Sequence, residues 1–178
     1  MIEVTLDTPD ALAAIRRAAS DGLFLGAGTV LSAEQVRSCA DAGARFVVSP
    51  GTRPDVVRSA LDAGLTPIPG AFTPTEILAA LSLGVEEVKI FPASLGGPAY
   101  ITTLRGPFSS TGFVPTGGIG LDEIGAYLRA GADRVGLGGA LVGSRPPDSA
   151  EDLAELTSRV SRAVENAREA RNGSERGT

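Results

Sequence analysis

Glycines recur along this chain at Gly22, Gly43, Gly64, Gly84, Gly106 and Gly131, spaced 20 to 25 residues apart. Each closes a helix-like stretch, where a glycine takes the left-handed conformation at little cost and stops the helix. Most are followed by a short apolar run: Leu23 to Leu25, Phe46 to Val48, Leu65 to Ile68, Val85 to Phe91, Phe113 to Val114 and Val135 to Leu137. Helix starts are also legible. Ser32 with Gln35 and Thr73 with Glu76 have capping-box spacing, and Pro9 and Pro74 each follow a threonine at a first helical position. A module of helix, glycine, strand and loop repeated at this period implies parallel βα units, hence an α/β fold.

Parallel βα chains close as barrels or spread as doubly wound sheets. Alternation within the strands favours a (β/α)8 TIM barrel. In Ile2-Glu3-Val4-Thr5-Leu6 the apolar residues share one face, while Glu3 and Thr5 share the other. In Val88-Lys89-Ile90-Phe91 the apolar Val88 and Ile90 would face helices and leave Lys89 inside with Glu3. Seven strands can be counted, so one βα unit of such a barrel is expected to be missing before Met1. Residues 1–171 are expected to form a single domain. Its last helix would pack on the barrel through Leu153, Leu156, Val160 and Val164, and residues 172–178 would form a disordered tail.

Composition prunes the chemistry. The absence of histidine excludes a Ser-His-Asp triad, a Cys-His pair and His-ligated metal, and neither metal nor cofactor is expected. A lone cysteine, Cys39, allows no internal disulfide. A net charge of −5 without a basic stripe argues against a nucleic-acid partner. No apolar run approaches membrane-spanning length and no signal peptide is recognisable, so a cytoplasmic protein without a membrane partner is expected.

Lys89 is the single lysine beside fifteen arginines. Arginine cannot replace it as an amine nucleophile, because a guanidinium stays protonated. Lys89 sits among apolar residues two positions before Phe91-Pro92 ends the strand, near the strand end where barrel enzymes keep their sites. Desolvation there would lower its pKa and free the amine to attack a carbonyl. Glu3, on the same inner face, has the chemistry of a general acid and base. The pairs Gly117-Gly118 and Gly138-Gly139 follow the last two strands, where barrels hold phosphate on backbone N–H groups. Gly26-Ala27-Gly28-Thr29 lacks a dinucleotide fingerprint and reads as a tight strand end presenting the Thr29 hydroxyl.

These segments occur with Ser49-Pro50-Gly51, Pro69-Gly70, Lys89-Ile90-Phe91-Pro92-Ala93, Pro115-Thr116-Gly117-Gly118-Ile119 and Gly136-Leu137-Gly138-Gly139 in one order. In that order the chain, from about Ile2 to Val142, resembles the 2-keto-3-deoxy-6-phosphogluconate and 4-hydroxy-2-oxoglutarate aldolases. The resemblance implies a metal-free, homotrimeric (β/α)8 lyase that cleaves a phosphorylated keto acid to pyruvate and an aldehyde, glyceraldehyde 3-phosphate or glyoxylate. It implies Lys89 as Schiff-base residue and Glu3 as acid/base. Thr29, Pro50, Phe91 and Thr116 would bind substrate, and Gly117, Gly118, Gly138 and Gly139 would bind phosphate. The sequence departs from the family at its first strand and helix, at Asp7 where many members carry arginine, and at Ala140 where many carry serine. Gly97-Pro98-Ala99-Tyr100-Ile101 is closer to the 6-phosphogalactonate branch. Two other readings stay open: an impaired truncated barrel that binds phosphate or only assembles, and a phosphosugar epimerase or isomerase.

Overall fold

The computed structural model describes residues 1–143 and 145–175, with side chains described up to residue 172. The chain divides into two compact units, Met1–Lys89 and Ile90–Thr178. The first runs β1 (Ile2–Thr5), α1 (Ala11–Ser20), β2 (Leu25–Gly28), α2 (Ala33–Asp41), β3 (Phe46–Val48), α3 (Pro54–Asp62), β4 (Thr66–Ile68), β5 (Gly70–Ala71), α4 (Pro74–Leu81) and into β6 (Glu87–Ile90). Strands β1 to β4 form one sheet in chain order, all parallel. The expected period of two is realised. Val4 pairs with Ala27 and Ala27 with Val47, placing these residues on the face that packs with Ile15, Val36, Cys39, Val56 and Ala60 of the helices. The opposite face carries Glu3 with its partner Gly26, and Phe46 with its partner Thr66.

Several local expectations are corrected. The second strand is Leu25–Gly28 rather than Leu23 to Leu25, and Leu23 and Phe24 are 50% and 59% exposed. The true strand looks unlike one because its glycines make room: a Cβ on Gly26 would overlap the Phe46 ring, which stacks on Phe24 at 5.9 Å. The fourth run forms β4 from Thr66, and a further short strand not expected from the sequence, β5, follows Pro69. At the seventh run only an isolated parallel bridge, Thr116 to Gly136, is formed. Thr73 and Glu76 form the full capping box, whereas Gln35 turns its carbonyl to the Leu31 N–H and leaves Ser32 to cap α2 alone. Helix α1 starts at Ala11, two residues after Pro9. Five of the six repeat glycines have φ between +70° and +103°, and Gly106 does not.

The second unit continues with α5 (Gly97–Arg105), β7 (Gly112–Pro115), α6 (Ile124–Arg129), α7 (Gly139–Val142) and α8 (Ala150–Glu175). Arg105 braces it. Its Nε donates to the Gly131 carbonyl at 2.7 Å and its Nη1 to Thr111 at 2.5 Å, while its guanidinium pairs with Asp133 and lies 4.5 Å above the Phe113 ring. Asp133 also accepts the Phe113 N–H at 2.8 Å, so β7 enters from a fixed start. Helix α8 packs against α6, but of the stripe expected from the sequence only Leu156 is half-buried: Leu153, Val160 and Val164 are 54%, 41% and 42% exposed. It is fastened further along, by Ala170 in the core, by Asn166 donating to the Leu121 carbonyl, and by Arg162 paired with Asp122. The helix reaches Glu175, inside the stretch expected as a tail; 176–178 lie outside the described residues.

Candidate active site

Glu3 projects from β1 over Gly28, so closely that a Cβ on Gly28 would overlap the carboxylate. As a residue Glu3 stays exposed on the edge strand, yet its carboxylate end is crowded. Burial of that end pushes its pKa up, and the nearby Lys89 charge opposes the rise. Lys89, on β6, is 8% exposed, and its N–H donates to the Pro69 carbonyl at 2.9 Å. Burial pulls its ammonium below the usual lysine value of 10.5, and the Glu3 carboxylate acts in the other direction. The period-two reading is thus realised: Glu3 and Lys89 lie within electrostatic reach of each other in the first unit. A buried amine poised toward its neutral form beside a carboxylate can add to a carbonyl and pass protons.

Two more expected residues lie in this unit. Thr29 has φ +56°, a left-handed conformation that a β-branched residue adopts at a cost of roughly 1–3 kcal/mol. Hydrogen bonds on either side hold it there: Leu6 N–H to the Gly28 carbonyl, and Val30 N–H to the Val48 carbonyl. Pro50 lies in the turn after β3, with its carbonyl against the α-carbon of Gly70, where a side chain would overlap it. Sequence reasoning passed over Ser49 and Thr52 in the same turn. Ser49 is buried and donates to the Gly51 carbonyl at 2.8 Å; Thr52 donates to the Gly70 carbonyl at 2.9 Å. The only signal was two hydroxyl residues around a Pro-Gly pair, which usually mark just a turn.

The remaining expected residues belong to the second unit. The Phe91 ring lies against Gly117, and the Phe91–Pro92 bond is cis. The Thr116 and Gly117 carbonyls accept the Ala93 and Ser94 N–H groups at 2.9 and 3.1 Å, tying the loop after β7 to the turn after β6. The Thr116 hydroxyl donates to the Val114 carbonyl at 3.0 Å. Gly117 and Gly118 have φ of +95° and +74°. Because Thr116 bridges Gly136 in parallel, Gly117-Gly118 and Gly138-Gly139 leave their strands at the same end. The surroundings of Gly138 and Gly139 are open, with nothing within 4 Å of an added Cβ. Buried Tyr127, another residue missed from sequence, donates its hydroxyl to the Ala93 carbonyl at 3.2 Å in that turn.

A family model described as KDPG and KHG aldolase matches residues 1–158. The chain belongs to that aldolase family. Among its relatives, the 2-dehydro-3-deoxy-phosphogluconate aldolase of Treponema pallidum (strain Nichols) is 48% identical over 125 residues, 70% of this chain and 59% of the relative. The chain therefore spans less than two thirds of that relative's length. The probable 2-dehydro-3-deoxy-6-phosphogalactonate aldolase of Rhizobium meliloti (strain 1021) is 40% identical, covering 85% of this chain and 73% of the relative. A solved structure of KDPG aldolase from Legionella pneumophila, with pyruvate captured as a covalent carbinolamine intermediate, is 30% identical with a TM-score of 0.78. It covers 90% of this chain and 78% of its own. These likenesses bear out the expected fold class, parallel α/β of TIM-barrel type.

The structure has two further cavities. One, about 430 Å³, runs along α1 by Ala13, Arg17 and Leu23; the other, about 160 Å³, lies by Arg145, Asp152 and Arg159. Neither is lined by Glu3 or Lys89. Among the described residues no helix is long and apolar enough to cross a membrane.

Proposed function

We propose that the protein is a class I aldolase, a lyase that cleaves a 2-keto-3-deoxy-6-phospho sugar acid, of gluconate or galactonate type, to pyruvate and glyceraldehyde 3-phosphate. 4-Hydroxy-2-oxoglutarate, giving glyoxylate, is the second substrate class. The observation that carries this is the buried Lys89 amine, depressed below the usual lysine range and coupled to the Glu3 carboxylate. The neutral amine adds to the C2 carbonyl and loses water, forming an imine whose protonated form draws electrons from C3. Glu3 takes the C4 hydroxyl proton as the C3–C4 bond breaks, releasing the aldehyde and leaving a pyruvate enamine. The same carboxyl returns a proton to C3, and water then frees pyruvate and the amine.

In this reading Thr29 and Pro50 bind the keto-acid end, Phe91 and Thr116 also bind substrate, and the N–H groups of Gly117, Gly118, Gly138 and Gly139 receive the phosphate. The register that sends both glycine pairs out at one end supports the last assignment. The enzyme would act as a cytoplasmic homotrimer in carbohydrate metabolism, as its family resemblance implies. The test is reduction with borohydride in the presence of pyruvate, followed by peptide mapping. A stable adduct on Lys89 supports the aldolase. A folded protein without an adduct refutes it and returns the epimerase and impaired-barrel readings.

A further inference from the structure

We infer that Thr52 is a positioning residue for Lys89, acting through the Pro69-Gly70 peptide; this inference rests on the aldolase reading. The path lies wholly within the first unit. The Thr52 hydroxyl donates to the Gly70 carbonyl, 18 residues along the chain, at 2.9 Å. The peptide on the other side of Gly70 begins at Pro69, whose carbonyl receives the Lys89 N–H at 2.9 Å. Gly70 has no Cβ, and the Pro50 carbonyl occupies the space where one would be. One hydroxyl therefore ties together the turn that carries Pro50 and the short strand on which Lys89 rests.

That tie matters because of what flanks it. Glycine is the residue with most rotational freedom in the backbone, and proline at 69 offers the ladder no N–H. Gly70 is thus the one freely rotating joint of this dipeptide, and the Thr52 hydroxyl and the Pro50 carbonyl hold it from outside the strand. The turn that supplies the holding group is itself fixed: Ser49 N–H donates to the Ile68 carbonyl, and the buried Ser49 hydroxyl closes on Gly51. Thr52 thereby joins that turn to the peptide on which the Lys89 N–H rests. A misplacement of about 1 Å at a reacting group can slow the chemistry by about 10²-fold, so even a partial shift of Lys89 is read in the rate.

The test compares wild type, Thr52→Val and Thr52→Ser. It measures exchange of pyruvate methyl protons with deuterated water against pyruvate concentration, and borohydride adduct on Lys89. Valine keeps the shape and removes the donor. Its limiting exchange rate should fall roughly tenfold, a factor comparable to one net hydrogen bond, with half-saturation by pyruvate within about twofold. Serine should restore most of the rate. A purely structural threonine would lower Tm and leave the limiting rate of the folded enzyme alone. A limiting rate in Thr52→Val within about twofold of wild type overturns the inference. If Thr52→Val does not fold, the comparison of Thr52→Cys with Thr52→Ser decides in the same way, since a thiol is a weak donor. Absence of a Lys89 adduct in wild type overturns the aldolase reading and this inference with it, whereas an adduct with equal rates in all variants overturns only this inference.

Discussion

Gly28→Ala should separate the two halves of the proposed chemistry. Of the atoms around an added Cβ at Gly28, the three nearest all belong to Glu3: Oε1 in direct overlap, Cδ at 2.7 Å and Cγ at 2.9 Å. These are the far atoms of a flexible side chain on an exposed strand, so Glu3 swings aside and the backbone stays. Loss of a preferred rotamer costs about 0.5–1.5 kcal/mol, and alanine in place of glycine in a strand returns roughly 0.5–1 kcal/mol, leaving stability within about 1 kcal/mol of wild type. Catalysis is not spared. With the carboxylate displaced, proton transfer at the enamine carbon should fall by about 10²–10⁴, the usual contribution of a positioned acid or base. Lys89 responds in the opposite sense. Glu3 is what holds its pKa up against burial, so removing the carboxylate lowers it further and leaves more neutral amine at neutral pH. Pyruvate should still be trapped on Lys89 by borohydride, while methyl-proton exchange into deuterated water, followed by NMR, collapses. A folded Gly28→Ala protein with wild-type exchange would refute the reasoning, as would loss of trapping and exchange together.

The remaining predictions are shorter. Lys89→Arg keeps a positive charge and removes the nucleophile; cleavage should drop by more than ~100-fold, about 2.7 kcal/mol of barrier, and retained activity would favour the epimerase reading. Trapping of pyruvate needs the neutral amine, so its rate should rise with pH and level off above a midpoint below 10.5; a midpoint at or above that value contradicts the burial of Lys89. Gly26→Ala contrasts with Gly28→Ala, because its Cβ meets the ring of Phe46, itself 2% exposed and unable to leave. It should cost about 1–3 kcal/mol, seen as a Tm several degrees lower, and an unchanged Tm would mean the ring moves freely.

Much of this protein could be read from its residues in order. The glycine period defined the βα module because helix stops and strand starts are local events, set by backbone sterics within a few residues. Alternation in β1 and around Lys89 placed Glu3 and Lys89 on a common side, since the pleat alone decides the face. The absence of histidine and the single lysine narrowed the chemistry before any geometry was known. What misled was apolar character taken as strand or packing. Leu23 and Phe24 precede the strand rather than form it, and Leu153, Val160 and Val164 face outward while polar Asn166 and Arg162 fasten the last helix.

The sequence by itself determined the repeat, the side of each strand that Glu3 and Lys89 occupy, and the residue types available for chemistry. Only the tertiary structure decided why β2 is built of Leu-Gly-Ala-Gly, since the space its glycines leave is filled by Phe46 and Glu3 from other strands. It also decided the displaced pKa values of Glu3 and Lys89, and the Thr52 tether to Gly70. These features depend on atoms brought close across long stretches of chain, and desolvation and side-chain contact act through space, whereas helix stops and strand faces depend on neighbours a few residues away.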